Sequence, residues 1–99
     1  MNKPRTERAG VEQTWDALTE AGYSITAQDG TGEEFPGLDR DDAIQEVMSC
    51  DDGHFIVFKN GKRVGFVWFV FGNDPEEVIS DYSLTLMHIL DPLTDEWYE

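Results

Sequence analysis

Val11, Trp15 and Leu18 recur at spacings of four and three behind Thr6, a residue suited to accept the first free N–H groups of a helix. Gly22 stands where a left-handed residue ends one, so the pattern predicts a helix over residues 7–21. Tyr23, Ile25 and Ala27 then alternate with Ser24, Thr26 and Gln28, the period of a half-buried strand, until Asp29-Gly30-Thr31-Gly32 interrupts it. Residues 29–38 read as a loop. A second helix follows, capped by Asp39, with Leu38 stapled onto Ala43 and with Ile44, Val47 and Met48 facing inward; it ends near Cys50.

The strongest local signal is Asn60-Gly61, because a two-residue type I′ turn needs positive φ at both positions. It predicts a hairpin over residues 54–71. Pairing Lys59 with Lys62 sets Val57 opposite Val64, Phe55 opposite Phe66, Ile56 opposite Gly65 and His54 opposite Val67. One face then carries Phe55, Val57, Val64, Phe66, Trp68 and Val70, the other Ile56, Phe58, Val67, Phe69 and Phe71. A strand apolar on both sides is expected to be central, or covered by a partner.

Gly72-Asn73-Asp74-Pro75 stops that strand, and Val78, Tyr82, Leu86, Ile89 or Leu90, Leu93 and Trp97 recur at helical spacing behind it. With Ser83 as a cap and Pro92 as a breaker, the tail reads as two helices over residues 75–82 and 84–91. The whole predicts one α+β domain over residues 1–99 in the order α-β-α-β-β-α-α, residues 1–5 being a frayed end. Its core is a mostly antiparallel three-stranded sheet around the hairpin, packed by helices, and the first strand is expected beside the 64–71 strand.

Charge changes this picture. The chain carries 21 acidic residues against 7 Lys and Arg, a formal −14, yet its 39% hydrophobic and 12% aromatic content suffices to fold it. The balance is segregated: residues 59–63 are a basic island, and from Val64 onward there is no Lys or Arg at all. Direct binding to nucleic acid or to anionic membranes is disfavoured, since both need clustered cations. No apolar run approaches the length of a membrane span, no signal-like stretch follows the start, and the single Cys50 has no internal disulfide partner, so a cytoplasmic location is expected.

Catalytic chemistry finds little support. Cys50 with His54 or His88 is the one nucleophile–base pairing, and a thiolate at a helix C-terminus beside Asp51 and Asp52 is opposed by both dipole and charge. Residues 39–44 fail the calcium-loop pattern at Ile44, and one cysteine with two distant histidines cannot close a zinc site. Glu33 and Glu34 behind Gly30-Thr31-Gly32 would repel a phosphate. Phe66, Trp68, Phe69 and Phe71 lack the interleaved cations of a base-stacking platform. The expectation is no enzyme, no metal and no cofactor.

The carboxylates remain, as a solubilising coat or as a recognition surface. Helical residues four apart are separated by about 6 Å, close to the spacing of neighbouring phosphates, and like charges there destabilise a helix by some tenths of a kcal/mol. Glu12, Asp16 and Glu20 form such a row, Asp39, Asp42 and Glu46 a second, and Glu77 with Asp81 a third. They point to a non-catalytic protein that binds a basic protein surface, with a nucleic-acid-binding protein mimicked out of its DNA as one form. The rival is a self-associating structural module, a homodimer included, that uses Phe66, Trp68 and Phe71 while the acids only solubilise.

The stretch Val70-Phe71-Gly72-Asn73-Asp74-Pro75-Glu76-Glu77-Val78-Ile79-Ser80-Asp81-Tyr82-Ser83, behind an apolar strand, resembles a segment of small plasmid- and phage-encoded proteins of unassigned function. The resemblance covers residues 70–83 and implies an accessory protein of a mobile element, a setting in which small acidic inhibitors of host defence occur. It carries over no catalytic residue and no partner.

Overall fold

The computed structural model describes residues 3–98. Thr6 accepts from the Ala9 N–H at 3.0 Å and starts α1 (Glu7–Glu20), whose exit runs through Gly22 at φ +93°. Strand β1 (Ser24–Gln28) follows, and the loop behind it holds a short β2 (Glu34–Phe35) before α2 (Arg40–Val47). The hairpin is β3 (Asp52–Lys59) and β4 (Lys62–Val70), turned at Asn60 and Gly61 with φ of 53° and 78°.

Beyond the hairpin the helical expectation over residues 75–82 is corrected. Pro75–Glu77 form a single 3₁₀ turn and Ile79–Tyr82 form strand β5. Short periodic segments do not separate helix from strand, and here pairing decides: β5 occupies the otherwise open edge of β4, and Ser83 extends the ladder, its N–H donating to Phe66 O and its Oγ accepting from Phe66 N. A second 3₁₀ turn, Leu84–Leu86, leads into α3 (Met87–Trp97). Pro92 lies inside α3 and does not end it, although an interior proline costs about 3 kcal/mol. Leu90 and Trp97, buried on either side of it, carry the helix through, and the Trp97 indole N–H donates to Gln13 on α1.

The result is an α+β domain with an antiparallel five-stranded sheet in the order β2-β1-β3-β4-β5. The hairpin core is as expected, with two short strands added at its flanks; β1 pairs with β3 rather than with β4. Of the stretch expected to fray, Lys3 pairs with Glu76 and Pro4 is buried; Met1 and Asn2 lie outside the described residues.

The hairpin register departs from the two-residue count in one place. Lys59 faces Lys62 and Phe58 faces Arg63, but Val57 faces Gly65, so Val64 is an extra residue and everything beyond it slips by one. Phe55 therefore faces Val67, and Ile56 faces Phe66. The bulge puts Val67 and Phe69 beside Phe55 and Val57, the reverse of the assignment made from uninterrupted pairing. These four join Val11, Leu18, Ile25, Ala27, Ile44, Val47, Leu86, Leu90 and Trp97 in one core, between the sheet and the helices. Phe55 sits at its centre, edge-on to Phe69 at 4.9 Å and to Trp15 at 5.6 Å.

Candidate functional site

The acidic rows meet different fates in the fold. On α1, Asp16 receives two hydrogen bonds of 2.9 Å from the Arg40 guanidinium, whose Nη1 also lies 3.7 Å from Glu12. Arg8 approaches Glu12 at 3.4 Å and Asp41 at 3.7 Å. The bond to Asp16 raises the Arg40 pKa above its usual value. Two cations from separate elements thus neutralise most of a row that the sequence leaves uncompensated. Glu20 stays exposed at the end of α1, beside a shallow depression lined by Gln13, Asp16, Ala17 and Leu93.

In the second row Asp39 is spent as the cap of α2, accepting from the Asp42 N–H at 3.1 Å. Asp42 is exposed and Glu46 half-buried on the helix behind it. The third row does not exist as a helical pair: Glu77 ends a 3₁₀ turn, and Asp81 lies on β5.

Asp81 instead stands opposite Trp68 on the edge strand, at the rim of a cleft of about 380 Å³ built from the Pro75–Glu77 turn, β5, the second 3₁₀ turn and α3. Its carboxylate accepts from the Tyr82 N–H at 2.8 Å, which blunts the strand edge. Glu76 and Asp91 line the same cleft, and Tyr82 donates a short hydrogen bond to Asp91. Burial, followed by that bond, raises the Tyr82 phenol pKa above its usual value, so the phenol remains a donor at neutral pH. The Glu76 carboxyl is held below its usual pKa by its own backbone N–H and by Lys3, 3.2 Å away.

Three of the cleft's lining residues are Leu84, Met87 and Tyr98, with exposures of 81%, 40% and 66%. They are the large hydrophobic side chains that stand exposed among the described residues, and all of them gather at this one place. The Tyr98 hydroxyl donates to Glu76 O at 3.0 Å and closes one end. Exposed apolar side chains beside the carboxylates of Asp81 and Asp91, with Glu76 already held by Lys3, suit a segment that presents an apolar side chain next to a cation.

Sequence reasoning placed Asp81 among the binding residues but missed Glu76, Asp91, Leu84, Met87 and Tyr98. The available signal was Leu84-Thr85-Leu86-Met87, where the helical pattern accommodates Leu86 and leaves its apolar neighbours without an inward position.

The side chains weighed and set aside as nucleophile and base have other neighbours. The Cys50 sulfur lies 3.9 Å from Ser49 Oγ, the His54 ring stacks on Trp68, and His88 lies 3.4 Å from the Tyr23 hydroxyl. Among the described residues no three His, Cys, Asp or Glu side chains converge as a metal site would require, and no helix is long and apolar enough to cross a membrane. No family model, no curated protein and no solved structure matches this chain.

Proposed function

We propose that this chain is a non-catalytic acidic protein that binds a basic protein partner, with the cleft between β5 and α3 as its principal contact. The observation that carries this reading is the gathering of Leu84, Met87 and Tyr98 with Glu76, Asp81 and Asp91 in one concavity. Apolar anchors supply affinity once desolvated, while the surrounding carboxylates and the formal −14 steer a cationic partner to them. A nucleic-acid-binding protein of host defence is the partner class to test first, because a phosphate-binding surface is a ready source of clustered cations. Mimicry of DNA by helical carboxylate rows has less support, since Arg8 and Arg40 occupy Glu12 and Asp16, and Glu77 with Asp81 is not a helical pair.

The test is capture of partners on the immobilised protein, elution along a salt gradient, and measurement of Kd for each identified partner. The variant Asp81→Asn with Leu84→Ser keeps an acceptor for the Tyr82 N–H and alters a side chain that is 81% exposed, so it folds. It is expected to weaken binding by about tenfold or more. Binding that is unchanged in high salt, or equally strong in the variant, would sink the reading.

A further inference from the structure

The helices cover one face of the sheet, yet the other face carries large apolar side chains among its polar ones. There Thr26, Ile56 and Phe66 form one row across β1, β3 and β4; Gln28, His54, Trp68 and Asp81 form the next; Phe58 with Arg63 and Asp52 with Val70 bound them at the two ends. Ile56 is fully buried under its neighbours, and Phe58, Phe66, Trp68 and Val70 are half-buried with no helix over them. His54 lies parallel to Trp68, with ring centroids 6.1 Å apart, and the Trp68 indole donates to Asp52 at 3.0 Å. The side chains of this face are thus held in place by one another.

Its charges are separated end to end. Arg63 stands at the hairpin end; Asp52, Asp81 and Glu34, which pairs with Gln28, stand toward the opposite end. We propose that this face binds a second copy of the chain, the two sheets stacked about a two-fold axis that lies across the strands. That axis reverses strand direction, so the row of Phe58 and Arg63 lies over the row of Asp52 and Val70 in the second copy, and the Ile56–Phe66 row over the His54–Trp68 row. Arg63 of each copy then stands over Val70 of the other, one strand from its Asp52, within reach of a long guanidinium side chain. The alternative axis, along the strands, stacks like on like, Arg63 near Arg63 and Asp52 near Asp52, and is rejected by charge. Face-to-face packing of twisted antiparallel sheets, about 10 Å apart, is a standard way to bury two such surfaces.

Two copies at −14 each repel, so screening favours this assembly, while pairs inside the contact are screened little. The dimer therefore strengthens as salt rises, opposite to the binding of a basic partner at the cleft, and the two readings stand or fall separately. The test is sedimentation equilibrium of the full chain across concentration at low and moderate sodium chloride. A monomer–dimer equilibrium that shifts toward dimer with salt is expected. Arg63→Glu, an exposed position, is expected to weaken it by about tenfold, with two equivalent pairs lost. Arg63→Glu combined with Asp52→Arg is expected to recover it. Phe66→Gln, checked for folding by circular dichroism, tests the apolar centre without changing charge and is expected to weaken it too. A monomer at every concentration and salt overturns the proposal, as does a dimer that ignores Arg63→Glu and Phe66→Gln but dissociates on Leu84→Ser.

Discussion

On the helix-covered face of the sheet Phe55, Val57, Val67 and Phe69 are withdrawn from solvent entirely, whereas on the bare face Phe66 and Trp68, from the same two central strands, keep part of their surface in water. The residue types hardly differ. What differs is the third layer: α1, α2 and α3 close over the first set, and only lateral neighbours shield the second. A strand apolar on both sides therefore does not by itself imply helices on both sides. The bare face is ordered by ring contacts and by the Trp68–Asp52 hydrogen bond, and it remains available for a further layer.

The comparison is sharpest in stability. Phe55→Ala opens a cavity beneath Trp15 and Phe69 and is expected to cost about 3–5 kcal/mol, enough to threaten the fold of a domain this size. Phe66→Ala, one strand away on the other face, is expected to cost only about 1–2 kcal/mol, because part of its surface is already hydrated. Chemical denaturation of both variants checks this, and equal losses would mean that the two faces are not distinct.

A smaller effect separates the acidic regions. Arg40→Ala removes the partner of Asp16, and because the pair is only partly withdrawn from water the stability change is expected to stay within about 1 kcal/mol. Partner binding, if it occurs at the β5–α3 cleft, is expected to be unchanged or slightly faster, since Asp16 and Glu12 are then left uncompensated. A large loss of partner affinity in Arg40→Ala would move the contact onto α1 and α2.

The smallest effect reads the bare face through its histidine. Burial lowers the His54 pKa below the ordinary 6.5, outweighing the pull of Asp52, with Arg63 adding to the depression. The unfolded chain consequently takes up this proton first. The contribution to stability is complete above the unfolded value and is lost as pH falls through it toward the folded pKa. In His54→Gln the pH dependence of denaturation midpoints is expected to be shallower in that window; identical slopes in both proteins would show that the bare face does not desolvate the ring.

Local order was largely legible in the residues themselves. Thr6 and Gly22 bracket α1, Asp39 caps α2, and Asn60-Gly61 turns the hairpin, because caps and tight turns depend on side chains and φ preferences within a few residues. Charge composition and the α+β class were equally readable. Tertiary structure alone decided the rest. The Val64 bulge inverted the faces of β4 relative to β3, since a one-residue slip costs little locally and is chosen by which side chains the helices can bury. Residues 79–82 became a strand because β4 offered an unpaired edge, and Pro92 was carried through α3 by the burial of Leu90 and Trp97. Arg40 found Asp16 twenty-four positions away, and Leu84, Met87 and Tyr98 met Asp81 and Asp91 only when β5 and α3 closed on each other. Which carboxylates are neutralised and which border an apolar cleft depends on chain segments meeting in space, and a pattern confined to one segment does not contain it.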